Sequence, residues 1–182
     1  MSYVLKLVHP RPDGNLRETA LRDRTVGDFA AVDPKKEAVK LKIAKALAAK
    51  LPSIEVTRVG YEPDNPSHLR CFEINDLADE SFGMQIELLD DDVSITIPFW
   101  HTGEKAAECF RQIWDVMSIV CTIGGYAAFD QQLDRPLADG EPPDDALACY
   151  LAAQRRVSRD PELGGRKPEK PKWWKKKHTG RR

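Results

Sequence analysis

The chain reads as an α+β domain, a mostly antiparallel sheet with helices packed on one face, followed by a disordered basic C-terminal tail. Three observations predict this. Residues 82–99 alternate apolar and polar side chains on both sides of a short acidic turn. Residues 34–51 and 103–122 instead repeat apolar side chains at helical spacing. The last 32 residues hold 12 Lys/Arg against 3 Asp/Glu, a net of +9, whereas residues 1–150 hold 16 against 26, a net of −10. The formal net charge of −1 conceals that division. It sets the expected organisation: an acidic domain over residues 1–157 and a basic tail over 158–182.

Residues 3–8 read as an N-terminal strand, and residues 13–32 as partly helical. Asp33 is a good helix cap, and Pro34 suits the first helical position because its missing N–H is not needed there. Val39, Ile43, Leu47 and Leu51 then recur every four residues, widened by Ala44 and Ala48. Lys35, Lys42 and Lys45 fall on the opposite face. Lys36, Lys40 and Lys50 lie nearer the stripe, where long side chains are expected to reach water. Pro52 ends the helix. Residues 54–59 and 69–74 are further strands, separated by the turn-rich Glu62-Pro63-Asp64-Asn65-Pro66.

Phe82, Met84, Ile86 and Leu88 alternate with polar or small residues up to Asp90-Asp91-Asp92. Val93, Ile95, Ile97 and Phe99 alternate beyond it, which is the pattern of a hairpin with one buried face. Pro98 cannot donate to a ladder and marks an edge or the end of the second strand. Thr102 is the expected cap of the next helix, whose stripe is Ala106, Phe110, Ile113, Met117, Val120 and Cys121. Gly124-Gly125 ends it. Residues 126–129 are a short strand, residues 133–145 a loop rich in Pro, Asp and Gly, and residues 146–156 a short helix. From Asp160 on, Pro and Gly recur and few apolar side chains remain to offset ordering entropy, so a mobile segment is expected.

Residues 82–137 resemble small uncharacterised bacterial proteins that begin Met-Ser-Tyr. Those carry an alternating hairpin, an aromatic-His-x-Gly-Glu turn and a long amphipathic helix ending near a Tyr and an Asp. Here the layout is Ile97-Pro98-Phe99-Trp100-His101-Thr102-Gly103-Glu104, then the helix, then Tyr126 to Asp130. The resemblance implies an α+β fold and no known activity, and the basic tail lies outside it.

Cys71, Cys109, Cys121 and Cys149 form no C-x-x-C pair, and the N-terminus lacks the apolar stretch of a signal peptide. Reduced thiols in a cytoplasmic protein are expected. No apolar run reaches the roughly 18 residues of a membrane span. His101-Thr102-Gly103-Glu104-Lys105 matches the linker between tandem zinc fingers. A finger, however, needs a cysteine pair and two His three to five residues apart, and His9, His68, His101 and His178 are isolated. His101 and Cys109 are about two helical turns apart, too far for a nucleophile–base pair. No phosphate-binding loop or hydrolase motif is present. The expectation is a non-enzymatic protein with no catalytic residue, no metal and no cofactor.

Three binding readings remain. His101, Thr102 and Lys105 stand at a helix N-terminus, where free N–H groups attract anions. The plain alternative is a capped turn with an exposed His. Glu87, Asp90, Asp91 and Asp92 belong to a block, residues 51–150, with 20 Asp/Glu against 5 Lys/Arg. Such a surface suits a basic partner protein, as in antitoxin- or immunity-type inhibitors and adaptors, or simply favours solubility. The tail carries the strongest signal: Arg166, Lys167, Lys170, Lys172, Trp173, Trp174, Lys175, Lys176, Lys177, Arg181 and Arg182. Lysines neutralise phosphates, and paired indoles stack on unpaired bases. Nucleic acid, single-stranded by preference, is the first expected partner of this accessory protein. A basic protein bound through residues 51–150 is the alternative. The same tail composition also suits a membrane surface or the chain's own acidic domain.

Overall fold

Side-chain alternation in the first strand decides which way the sheet faces. A computed structural model of the chain describes residues 2–10, 15–21, 33–51, 53–59, 71–76, 83–138 and 144–159. In β1 (Ser2–Val8), Tyr3, Leu5 and Leu7 are buried, and Val4 and Lys6 between them are only half-buried. Opposed residues of an antiparallel pair share a face. One row therefore crosses the whole sheet: Arg58, Phe72, Leu88, Val93, Leu7, Ala128 and Leu137. All but the residues at its two ends are buried.

The strands are β1, β2 (Ile54–Val59), β3 (Cys71–Asp76), β4 (Gln85–Leu88), β5 (Asp92–Pro98), β6 (Ala127–Asp130) and β7 (Arg135–Leu137). They form one sheet in the order β2-β3-β4-β5-β1-β6-β7, and every neighbouring pair is antiparallel. Strands β2 to β5 make a meander, as the sequence pattern predicts for the β4–β5 hairpin. Pro98 is the last residue of β5, opposite Ser2, where a missing donor is tolerated.

Helices α2 (Pro34–Lys50), α3 (Gly103–Gly124) and α4 (Asp144–Arg159) share one core with the Leu5 and Leu7 face. The short α1 (Leu16–Leu21) does not. Its Leu16 and Ala20 pack with Val8 and Phe129 on the reverse face. The sequence places 34–51 and 103–122 on one face, and both are there; α1 is an addition on the other side.

Helix boundaries follow their caps. The Asp33 carboxylate accepts the Lys35 N–H at 2.8 Å, and Pro34 takes the first turn. Thr102 caps α3 with its backbone alone; its side chain makes no capping bond. Gly125 ends α3 at φ 69, in the left-handed region that glycine adopts at little cost, and its N–H reaches the Cys121 carbonyl at 2.8 Å.

Several expectations are corrected by tertiary packing. The α3 stripe is wider than six residues, because α2 and α4 flank it: Cys109, Trp114 and Val116 are buried as well, and Cys121 is only half-buried. Ala48 is exposed. Lys40 does not reach water; it is 2% exposed. Part of the expected 133–145 loop is β7, whose three residues are too few for a legible alternation. The last helix starts earlier and ends later than 146–156. No disulfide joins the four cysteines. The turn at 62–66, most of 13–32 and everything from Asp160 onward lie outside the described residues.

Phe110 is 1% exposed at the centre of the core, edge-on to Tyr3 at 5.2 Å and to Tyr150 at 5.2 Å. Phe110→Ala removes the ring and leaves a cavity, an expected loss of about 3–5 kcal/mol. A thermal melt that Phe110→Ala leaves unchanged contradicts this packing.

Candidate functional site

Three polar clusters stand out, each built where elements meet. The first joins β5 to α3. The chain leaves β5 at Pro98, turns through Phe99 and Trp100, and enters α3 after Thr102. The Trp100 indole N–H donates to His101 Nε2 at 2.8 Å. In this bond the imidazole nitrogen is the acceptor, because an indole N–H can only donate. The Tyr150 hydroxyl, from α4, accepts the His101 backbone N–H at 3.0 Å and donates to the Pro98 carbonyl at 2.7 Å. Trp100 lies against Gly83, where φ is +64 and an added Cβ would fall 2.4 Å from the indole. His101 is thus a buried joint and not an exposed turn residue. Thr102 and Lys105, the other two residues of the sequence-predicted anion site, are exposed.

The second cluster closes the core at the β4–β5 turn. Lys40 Nζ lies 2.6 Å from Asp90 Oδ1 and 3.3 Å from Glu37 Oε2, and 5.6 Å from the centre of the Phe72 ring. Arg58 covers the same ring and meets Glu37 at 2.6 Å. Lys36 holds Asp91 at 2.7 Å, which raises the Lys36 pKa, chiefly through that hydrogen bond. Of the sequence-predicted acidic partner surface, Asp90 and Asp91 therefore turn to α2. Glu87 and Asp92 lie on the reverse face, in the registers of Lys6 and Val8. The four carboxylates are thus not gathered on one face of the sheet.

The third cluster lies inside the domain. The Tyr3 hydroxyl donates to Asp130 Oδ2, and the backbone N–H groups of Gln132 and Leu133 donate to Oδ1 at 2.8 and 3.0 Å. Asp130 is fully buried. Burial, then the bond to Asp130, raises the Tyr3 pKa far above its usual range. Sequence reasoning missed this pair, although both residues belong to the layout that carries the resemblance.

Burial pushes the Cys109 thiol up to about 12, which leaves it a poor nucleophile. Among the described residues, no group of three or more His, Cys, Asp and Glu could hold a metal ion, and no helix is long and apolar enough to cross a membrane. Among the described residues, the buried atoms Gln112 Oε1 and Trp114 Nε1 have no hydrogen-bond partner, but two residues of a helix so spaced point about 200° apart, so they do not converge. The tail residues named from the sequence, Arg166 through Arg182, lie outside the described residues. The helix that leads to them is described, and Arg155, Arg156 and Arg159 are exposed on it.

The buried phenols make a prediction for alkaline pH. Tyr126 and Tyr150 are pushed up to about 12, mainly by burial, and Tyr3 is raised by burial and Asp130. Below the ordinary value of 10.0 these groups are protonated in both the folded and the unfolded chain. Above it the unfolded chain releases protons that the folded chain keeps, so stability falls as pH rises toward about 12. A phenolate absorbance titration is expected to count no more than one of the four tyrosines ionising near 10.0 in the folded protein. All four titrating there with the fold intact contradicts the burial.

No family model, curated protein or solved structure matches this chain.

Proposed function

We propose that this protein is a non-enzymatic accessory protein that contacts single-stranded nucleic acid through its basic C-terminal tail, with the acidic α+β domain as its carrier. The carrying observation is the division of charge. Residues 160–182 hold nine Lys/Arg against three acids, with Trp173 and Trp174 adjacent inside Lys172 to Lys177. A cationic segment of this kind tracks phosphates, and each indole offers a face to an unpaired base. The domain's own ion pairs support the reading. Arg17, Lys36, Lys40, Lys50, Arg58 and Arg135 each meet an acid of the same domain. Much of the domain's basic charge is thus used internally, and the C-terminal segment carries the concentrated remainder.

A second reading has one specific observation in its favour. Glu73 faces Glu87 directly across β3 and β4 on the reverse face, with Glu55 on the next strand. A basic partner protein seated there would meet this row of acids, as expected of an acidic adaptor or an antitoxin- or immunity-type inhibitor.

Fluorescence anisotropy with a short single-stranded oligonucleotide separates the two. Full-length protein is expected to bind with steep salt dependence, and removal of residues 160–182 to abolish binding. Trp173→Ala with Trp174→Ala is expected to cost about 1–3 kcal/mol for each base left unstacked while keeping most of the salt slope. Lys175, Lys176 and Lys177 changed to Gln instead flatten the slope, by up to about 0.7 for each phosphate that is no longer neutralised. Equal affinity of full-length and truncated protein at about 50 mM salt, where phosphate neutralisation matters most, eliminates the nucleic-acid reading. Recovery of a basic protein by the truncated domain favours the second.

A further inference from the structure

The helix that leads into the tail carries basic residues that the fold does not use. In α4 Ala146 and Tyr150 are fully buried, and Leu147, Cys149 and Leu151 pack against the core beside them. Helical geometry puts Arg155 and Arg159 on the side opposite Ala146 and Tyr150, one turn apart on one stripe, with Arg156 on its flank. All three are exposed. Among the described residues none of them makes an ion pair or a hydrogen bond, although the domain is strongly acidic. Elsewhere Lys36, Lys40 and Lys50 of α2 all meet acids.

Two ordinary explanations are insufficient. The helix dipole favours cations in the last turn, and Arg156 and Arg159 are there. Arg155 precedes that turn. None of the three belongs to the buried core, which α4 meets through Ala146, Tyr150 and the partly buried Leu147, Cys149 and Leu151. Mutual repulsion of Arg155 and Arg159, four residues apart, is a small cost to the isolated helix. What three clustered, unpaired guanidiniums do well is hold phosphates, since the planar group donates two parallel hydrogen bonds to an anionic oxygen pair.

We infer that single-stranded nucleic acid is also held on the folded domain itself, at Arg155, Arg156 and Arg159 of α4. The inference rests on the single-strand reading above and adds a fixed point to it. The negative end of the helix dipole disfavours a phosphate placed end-on. The strand therefore runs alongside α4, across the arginine stripe. A rigid stripe gives the strand one fixed contact on the domain.

The test uses the full chain and a short single-stranded oligonucleotide, reading the slope of log affinity against log salt. Arg155→Gln, Arg156→Gln and Arg159→Gln together are expected to flatten the slope by about 2, at about 0.7 for each phosphate that is no longer neutralised. The same three positions changed to Lys are expected to restore most of it, because charge is retained. Lys35→Gln, Lys42→Gln and Lys45→Gln, three exposed lysines on α2, remove the same charge elsewhere and are expected to leave the slope unchanged. A slope unmoved by the three arginine changes, or moved equally by the lysine changes, overturns the inference and leaves the tail reading standing. Absence of binding by the unaltered full chain overturns both. Far-ultraviolet circular dichroism confirms that each variant keeps its helices; should the Gln variant lose them, the triple Lys variant and single Arg155→Gln decide by the same slope.

Discussion

The whole sheet depends on one strand at the start of the chain. β1 lies between β5 and β6 and pairs with both. Without it the β2–β5 meander and the β6–β7 hairpin are separate pieces. Its register is fixed by more than backbone pairing. The Tyr3 hydroxyl reaches Asp130, diagonally across from it on β6, and the Val4 N–H donates to the Gln132 side chain at 2.9 Å. A buried carboxylate without donors is costly, and a slip of one residue would turn Tyr3 to the reverse face. The Tyr3–Asp130 bond therefore opposes every neighbouring register. It spans 127 residues of sequence, so the pairing that unites the sheet is also among its least local interactions. Loop closure of that kind slows folding more than it lowers stability.

An aromatic group couples this strand to the helices. Tyr3 meets Phe110 of α3 and, at 6.1 Å, Tyr150 of α4. Phe110 stacks on Trp114, and Phe99 tilts onto Tyr150. Edge-to-face pairs of this geometry add modestly to the area buried. Their larger effect is directional. Tyr150 is held by ring contacts on several sides and by its hydroxyl at Pro98 and His101, so the rotation of α4 about its axis is determined. That rotation leaves Arg155, Arg156 and Arg159 exposed.

Electrostatics in the domain is local. Lys40 is buried between Asp90, Glu37 and the Phe72 ring, and Arg58 joins Glu37 from the edge strand. A buried charge is tolerated only when paired and hydrogen-bonded, and here both conditions are met. Such a cluster ties the N-terminal half of α2 to the β4–β5 turn and to β2. It leaves Glu55, Glu73 and Glu87 on the reverse face of β2 to β4. The charge division seen along the chain thus has a counterpart in space: acids on the reverse face of the sheet, arginines on the last helix.

Element type and most boundaries were legible in the sequence because they are local properties. Alternation at Met84, Ile86, Leu88, Val93, Ile95 and Ile97 specifies strands with one buried face. The Asp33-Pro34 start and the Gly125 stop act within a turn of the helices they bound. The charge division is plain counting. What only the tertiary structure decided is which elements meet. The insertion of β1 between β5 and β6 leaves no local trace, because alternation says which face is buried and nothing of the neighbouring strand. Lys40 reads as a solvated lysine until Asp90, fifty residues away, is set beside it. The strand β7 has three residues and a proline, too short and too irregular for a periodic signal. His101 reads as an exposed turn residue until Tyr150 and Trp100 close over it. Arg155, Arg156 and Arg159 can be counted in the sequence, but their common exposure follows from the face of α4 that Tyr150 buries, a long-range contact that no local pattern encodes.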